Sequence, residues 1–161
     1  MIMSDTLLLP PPRLTLTAQR IIKRALNHLE KYLQEPGVTL TSAIAMRDWL
    51  RLKLAGQERE IFMVLHLDNQ HRLIDYETVF LGSINHIEIQ PREIVKSALR
   101  QNAAAVILVH NHPSGHAEPS KADKLITKQL ELALLVVGIR TLDHLVVGHN
   151  DIVSFAERGW L

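Results

Sequence analysis

Between Ala103 and Val109 the chain runs through seven consecutive apolar residues, then breaks at once into the polar string His110-Asn111-His112-Pro113-Ser114-Gly115. A short, unbroken apolar run bounded by a loop rich in turn formers is the pattern of a strand covered on both faces. Such a strand needs helices packed above and below it, so this one segment points to an α/β architecture.

The flanking patterns agree. Ile22, Leu26, Leu29 and Leu33 recur at helical spacing until Pro36-Gly37, which predicts an N-terminal helix over residues 17–38. Thr41 or Ser42 can cap a second helix that runs through Leu54 and stops at Gly56, with Trp49, Leu50, Leu52 and Leu54 packing into a core. Residues 1–16 read as a flexible leader, because Pro10-Pro11-Pro12 removes three amide donors. Ile61–Leu65 and Leu73–Phe80 are rich in strand formers and flank Asp68-Asn69-Gln70, a hairpin pattern. A third short strand is expected around His86–Ile89, and Pro91 suits the first turn of a helix with Ile94, Val95, Ala98 and Leu99 on one face. Ser120 opens a helix to about Leu135, and Arg140–Val147 and Ile152–Phe155 are closing strands. The sum is an α/β domain over residues 39–161 with a mixed sheet flanked by helices and two helices at its start.

Composition narrows the chemistry. At 161 residues, 47% of them hydrophobic, the chain is the size of one ordinary globular domain. Eighteen basic and seventeen acidic side chains leave a net charge of +1, which gives no overall steering toward nucleic acid or anionic membrane. No apolar run approaches the roughly 18 residues of a membrane span, and no basic residue precedes Leu7-Leu8-Leu9 as a signal peptide requires, so a cytoplasmic protein is expected. The absence of cysteine removes thiolate nucleophiles and thiolate metal ligands, leaving histidine and carboxylate for any metal chemistry.

His110 and His112, two apart at a strand end, project to the same side. Asp123 lies one helical turn beyond Ser120, close enough for both to face the loop from which His112 points. Two imidazoles, one carboxylate and an open fourth position describe a catalytic zinc site. Each part has a plainer reading. Paired histidines on a strand edge are commonly solvated, Ser120 suits a helix N-cap, and Asp123 is a favourable charge in a first turn.

The pattern His110-x-His112, seven residues, Ser120-x-x-Asp123 resembles the JAMM signature of JAB/MPN metallopeptidases, with Pro113 following the second histidine. The strings from His110 to Gly115, Pro119-Ser120, Pro91-Arg92-Glu93 and Asp143-His144 resemble the RadC branch, in its short, prophage-type form, from about residue 41 to the C-terminus. The resemblance implies a cytidine-deaminase-like fold, one zinc ion per chain on His110, His112 and Asp123, and hydrolysis of a peptide or isopeptide bond in a peptide or protein substrate. It also implies a glutamate on the first strand as general base, a position Glu60 matches and Glu58, on the same face, could take instead. Ser120 would donate a hydrogen bond to the tetrahedral intermediate. A metal-dependent nuclease or phosphodiesterase, or a non-catalytic adaptor linked to DNA repair, are the rival readings. Residues 17–56 carry no glycine-rich hairpin of the kind that binds DNA backbone in full-length RadC proteins.

Other polar groups are weighed more plainly. His144 beside Asp143 suggests a charge pair or a partner for a ligand imidazole, with a satisfied structural pair as the alternative. Lys121, Lys124 and Lys128 form a helical stripe, and His28, His66, His71, His86, His116 and His149 read as solvated.

Overall fold

The structure, a computed structural model, describes residues 14–40, 44–54, 56–82 and 88–161. Its elements are α1 (Leu16–Leu33), α2 (Ile44–Leu54), β1 (Ile61–Leu67), β2 (Leu73–Leu81), α3 (Pro91–Arg100), β3 (Ala105–Asn111), α4 (Lys121–Val136), β4 (Arg140–Val147) and β5 (Ile152–Ser154). The five strands form one mixed sheet in the order β2-β1-β3-β4-β5, in which only the β3–β4 pair is parallel. That parallel pair is joined through α4, as a parallel connection requires a crossover.

The apolar run becomes β3, the middle strand, and every residue of it is buried. Its side chains alternate between two cores. Ala105, Ile107 and Val109 join Met63, Leu65, Leu145 and the α2 residues Trp49, Leu50 and Leu54 on one face. Val106 and Leu108 join Phe62, Val64, Ile94 and Ala98 of α3, and Leu130 and Leu134 of α4, on the other. The expected mixed sheet between helices is therefore observed, with α1 and α2 on one side and α3 and α4 on the other.

α1 is the least buried helix, with Leu33 its one fully buried residue. Glu30 anchors it laterally, accepting from Trp49 Nε1 at 3.1 Å and from the Tyr76 hydroxyl at 3.0 Å. Thr15 caps α1 by accepting from Ala18 N. Residues 1–13 of the expected leader, the Thr41 and Ser42 caps and His86 lie outside the described residues. Of the expected strand at His86–Ile89, the described part, Glu88 and Ile89, is not in a strand.

Two expectations are corrected on the α3 side. Leu99 is 53% exposed, and Ser97 takes the buried position beside Ile94 and Ala98. The reason is His66, expected to be solvated but fully buried, because β1 runs two residues past Leu65. Its Nε2 lies 2.9 Å from Ser97 Oγ, which in turn donates to Glu77 Oε2 at 2.6 Å. A polar pair is thus buried together where a leucine was expected.

His66 makes stability depend on pH. Burial lowers its ring below the ordinary imidazole value of 6.5, against the opposing pull of Glu77 and Asp75. Among the described residues its Nδ1 has no hydrogen-bond partner. The unfolded chain therefore binds a proton that the folded chain resists, and stability falls as pH drops below about 6.5. One such proton contributes a slope of at most about 1.4 kcal/mol per pH unit. Denaturant unfolding between about pH 7.5 and about pH 5 should show a shallower decline for His66→Phe than for the wild type. Identical slopes would remove His66 as a source of the pH dependence.

Candidate metal centre

His110 is the sixth residue of β3 and His112 follows the strand's end, so alternation carries both imidazoles to the α3/α4 face. Parallel pairing with β4 holds the exit, since His112 N donates to Val147 O at 2.9 Å. Beyond it the chain turns tightly, with Gly115 N bonded to His112 O at 2.9 Å. Gly115 has a φ of +91°, and a Cβ there would lie 2.5 Å from His149 Nδ1, so the turn needs glycine. The turn brings His116 O to 2.7 Å from His112 Nδ1, a contact that leaves His112 Nε2 facing the site.

Asp123 arrives from the first turn of α4. Ser120 Oγ accepts from Asp123 N at 3.0 Å, and Asp123 Oδ2 accepts from Ser120 N at 2.8 Å, a reciprocal capping box that fixes the carboxylate's rotamer. The capping role uses a lone pair of Ser120, so its hydroxyl hydrogen remains free to donate.

Glu60 stands just before β1. Asn111, between the two histidines and therefore pointing to the opposite face, accepts from Ile61 N at 2.7 Å through Oδ1 and donates to Arg59 O at 3.1 Å through Nδ2. Its amide straddles Glu60. On the other side Gly82 N donates to Glu60 O at 2.8 Å. With its backbone held on both flanks, Glu60 faces the histidines while Glu58 is exposed and lies outside the group.

Glu60, His110, His112 and Asp123 each offer a ligand atom, and these atoms all lie within 4.8 Å of one another. His110 Nε2 and His112 Nε2 are 3.1 Å apart; Asp123 Oδ1 is 3.3 Å from the former and Oδ2 3.1 Å from the latter. Metal–ligand bonds of about 2.0–2.1 Å in tetrahedral geometry give edges of about 3.3 Å, so the donor set fits a zinc-sized ion. Glu60 Oε1 is set back, 3.9 Å from His110 Nε2. The chain can therefore hold a metal ion here, with three donors at coordination spacing and one carboxylate a step away.

Electrostatics divide the two carboxylates. Burial pushes both upward. For Glu60 burial prevails over the nearby histidines, and the group sits above the ordinary glutamate value. For Asp123 the hydrogen bonds of His110 and His112 outweigh burial and hold the carboxyl well below the ordinary range. Contact with Asp123 in turn raises the His112 ring, against its own desolvation. One carboxylate is kept as an anion and the other is a stronger base, the pairing expected of a ligand beside a proton acceptor.

The group lies in a cleft of about 500 Å³ whose walls include Phe62, Glu88, Ile89, Ser120, Ile126 and Gln129. All five residues singled out from the sequence meet here. Two that were missed also bear on it, Asn111 and Thr127, the latter 2.6 Å from Asp123 O. Thr127 had a weak signal, being four residues after Asp123 on the same helix face. Of the readings weighed for His144, the partner of a ligand imidazole is the one observed. The Asp143 carboxylate accepts from its neighbour's backbone N, from Ser154 Oγ and from Ala156 N, whereas the His144 ring approaches His110 at 2.8 Å. The lysine stripe is a surface feature, with Lys124 Nζ 4.0 Å above the Trp160 ring and Lys128 paired with Glu131.

A family model described as RadC-like JAB domain matches residues 40–160. The chain is 57% identical over 159 residues to the UPF0758 protein YfjY of Escherichia coli K12, covering 99% of each. Two further proteins of that organism are similarly related. UPF0758 protein YkfG is 56% identical over 151 residues, 94% of this chain and 96% of the relative. UPF0758 protein YeeS is 57% identical over 141 residues, 88% and 95%. None of these names specifies an activity.

Proposed function

This chain belongs to the RadC-like JAB domain family, and from that premise we propose that it is a metal-dependent hydrolase of amide or isopeptide bonds. The observation that supports this most directly is the spacing of the four groups, three at coordination distance and Glu60 set back by about the room a water needs. His110, His112 and Asp123 would hold the ion, and zinc suits two imidazoles and one carboxylate. Zinc in such a site supplies Lewis acidity toward water and toward the substrate carbonyl.

The protein's own residues supply the remaining steps. Glu60, raised by burial, accepts the proton of the attacking water and returns it to the departing nitrogen. Ser120 donates its hydroxyl hydrogen to the developing oxyanion while its lone pair caps α4. Asp123, held ionised, keeps its ligand role across the working pH range. The apolar walls Phe62, Ile89 and Ile126 exclude water from one side of the cleft.

A peptide or protein substrate fits better than a nucleic acid. No lysine or arginine is among the described residues that line the cleft, while Glu60, Glu88 and Asp123 place three carboxylates there. A phosphodiester backbone would meet repulsion where nucleic-acid sites offer cations. Zinc-loaded protein should therefore cleave peptides or lysine-linked isopeptides and leave plasmid and single-stranded DNA intact, with Glu60→Ala prepared alongside to reveal contaminating activity. DNA cleavage that disappears in Glu60→Ala would replace this reading with the phosphodiesterase one.

A further inference from the structure

Behind the cleft a chain of polar contacts runs through the buried interior. His110 Nδ1 lies 2.8 Å from His144 Nε2, His144 Nδ1 lies 2.5 Å from Thr127 Oγ1, and Thr127 Oγ1 lies 2.6 Å from the backbone oxygen of Asp123. His144 is fully buried, with the Phe155 ring centroid at 4.8 Å and the Phe62 centroid at 5.5 Å. Its two ring nitrogens have only these two partners among the described residues.

The proton positions can be worked out from one end. The carbonyl of Asp123 can only accept, so the single hydroxyl hydrogen of Thr127 must lie in that contact. The Thr127 oxygen then has only lone pairs to offer His144, and His144 Nδ1 must carry the hydrogen between them. In a neutral ring that leaves His144 Nε2 bare, and it accepts from His110 Nδ1–H. With a hydrogen committed at Nδ1, His110 turns Nε2 toward the site, 3.1 Å from His112 Nε2 and 3.3 Å from Asp123 Oδ1. The reverse order would set two oxygens 2.6 Å apart with no hydrogen between them and turn an N–H of His110 into the metal position.

We propose that Thr127 and His144 are positioning residues that hold a hydrogen on His110 Nδ1, so that Nε2 is the nitrogen His110 offers to a metal. The proposal rests on the reading of His110 as a ligand but not on hydrolysis. It also explains a threonine within a helix whose hydroxyl bonds to the carbonyl four residues back, a substitution for solvent that usually brings little stability. Here the same bond ties the backbone of one ligand, Asp123 on α4, to the ring of another, His110 on β3.

Long-range proton–nitrogen NMR of the metal-free wild type reads the tautomers directly. His110 and His144 should both carry a hydrogen at Nδ1, and a His110 bare at Nδ1 would overturn the proposal. Zinc affinity, measured by competition with a chromophoric chelator, should fall about 10- to 100-fold in Thr127→Val. Thr127→Ser, which keeps the hydroxyl, should restore it; equal affinity in Thr127→Val and wild type would overturn the relay. The two readings fail separately. A wild type that binds no zinc sinks the metal site, whereas one that binds zinc with His110 in the opposite tautomer sinks only the relay.

Discussion

Wild-type protein dialysed against zinc should retain about one equivalent of metal, and His112→Ala should retain almost none. Dividing the about 10–16 kcal/mol of a four-ligand zinc site equally assigns about 2.5–4 kcal/mol to each ligand, on the order of 10²- to 10³-fold in affinity. His112 is the cleaner position to change. It stands beyond the end of β3 with its side chain 18% exposed, so its loss leaves the sheet and both cores intact. His110→Ala should lose metal equally and destabilise the fold as well, because the 2% exposed ring is also the partner of His144 Nε2. Leaving that buried nitrogen unpaired costs about 1–3 kcal/mol. Atomic emission on dialysed protein, with a thermal melt of each variant, separates the two effects. Wild-type protein that emerges without metal while all three ligands are intact would exclude the site as drawn.

The contrast between these histidines shows what a linear reading could reach. The apolar run to Val109 identified a strand buried on both faces, and alternation then placed His110 and His112 on one side, since neither step needs knowledge of distant residues. Ser120 and Asp123 were legible for the same reason, being one helical turn apart. What periodicity alone did not fix depends on register: Glu60 was reached through the family resemblance, with Glu58 as its alternative, and the role of His144 stayed open. Glu60 is placed by the β1–β3 pairing, in which Phe62 faces His110, and by the Asn111 amide that grips Arg59 and Ile61. His144 reaches His110 because β3 and β4 are parallel with Leu108 opposite His144, a pairing no local pattern encodes. His66 was misread since a histidine alone does not reveal the Ser97 and Glu77 that satisfy it from α3 and β2. Local periodicity thus carried the elements and the ligands, while the groups that orient those ligands are long-range pairings.

Glu60→Gln should separate metal binding from chemistry. The amide preserves the shape of the side chain and, lying at 3.9 Å from His110 Nε2, takes no ligand away from the ion, so zinc content should match the wild type. It cannot accept the water's proton, and removal of a general base of this kind costs about 10²- to 10⁴-fold in kcat. Stability should move the other way. Burial holds the folded-state value of Glu60 above its unfolded one, so the ionised carboxylate weakens the fold once pH exceeds the ordinary glutamate value of 4.5. A neutral amide removes that cost, and Glu60→Gln should melt at the wild-type temperature or above it, the trade between stability and activity expected of a residue placed for chemistry. Glu58→Gln, exposed and outside the metal group, should leave both quantities unchanged. Loss of zinc in Glu60→Gln would make the residue a fourth ligand, and full cleavage with zinc retained would move the base elsewhere. Cleavage lost, metal kept and melting temperature held or raised is the combination that a set-back, desolvated general base requires and that a structural glutamate would not produce.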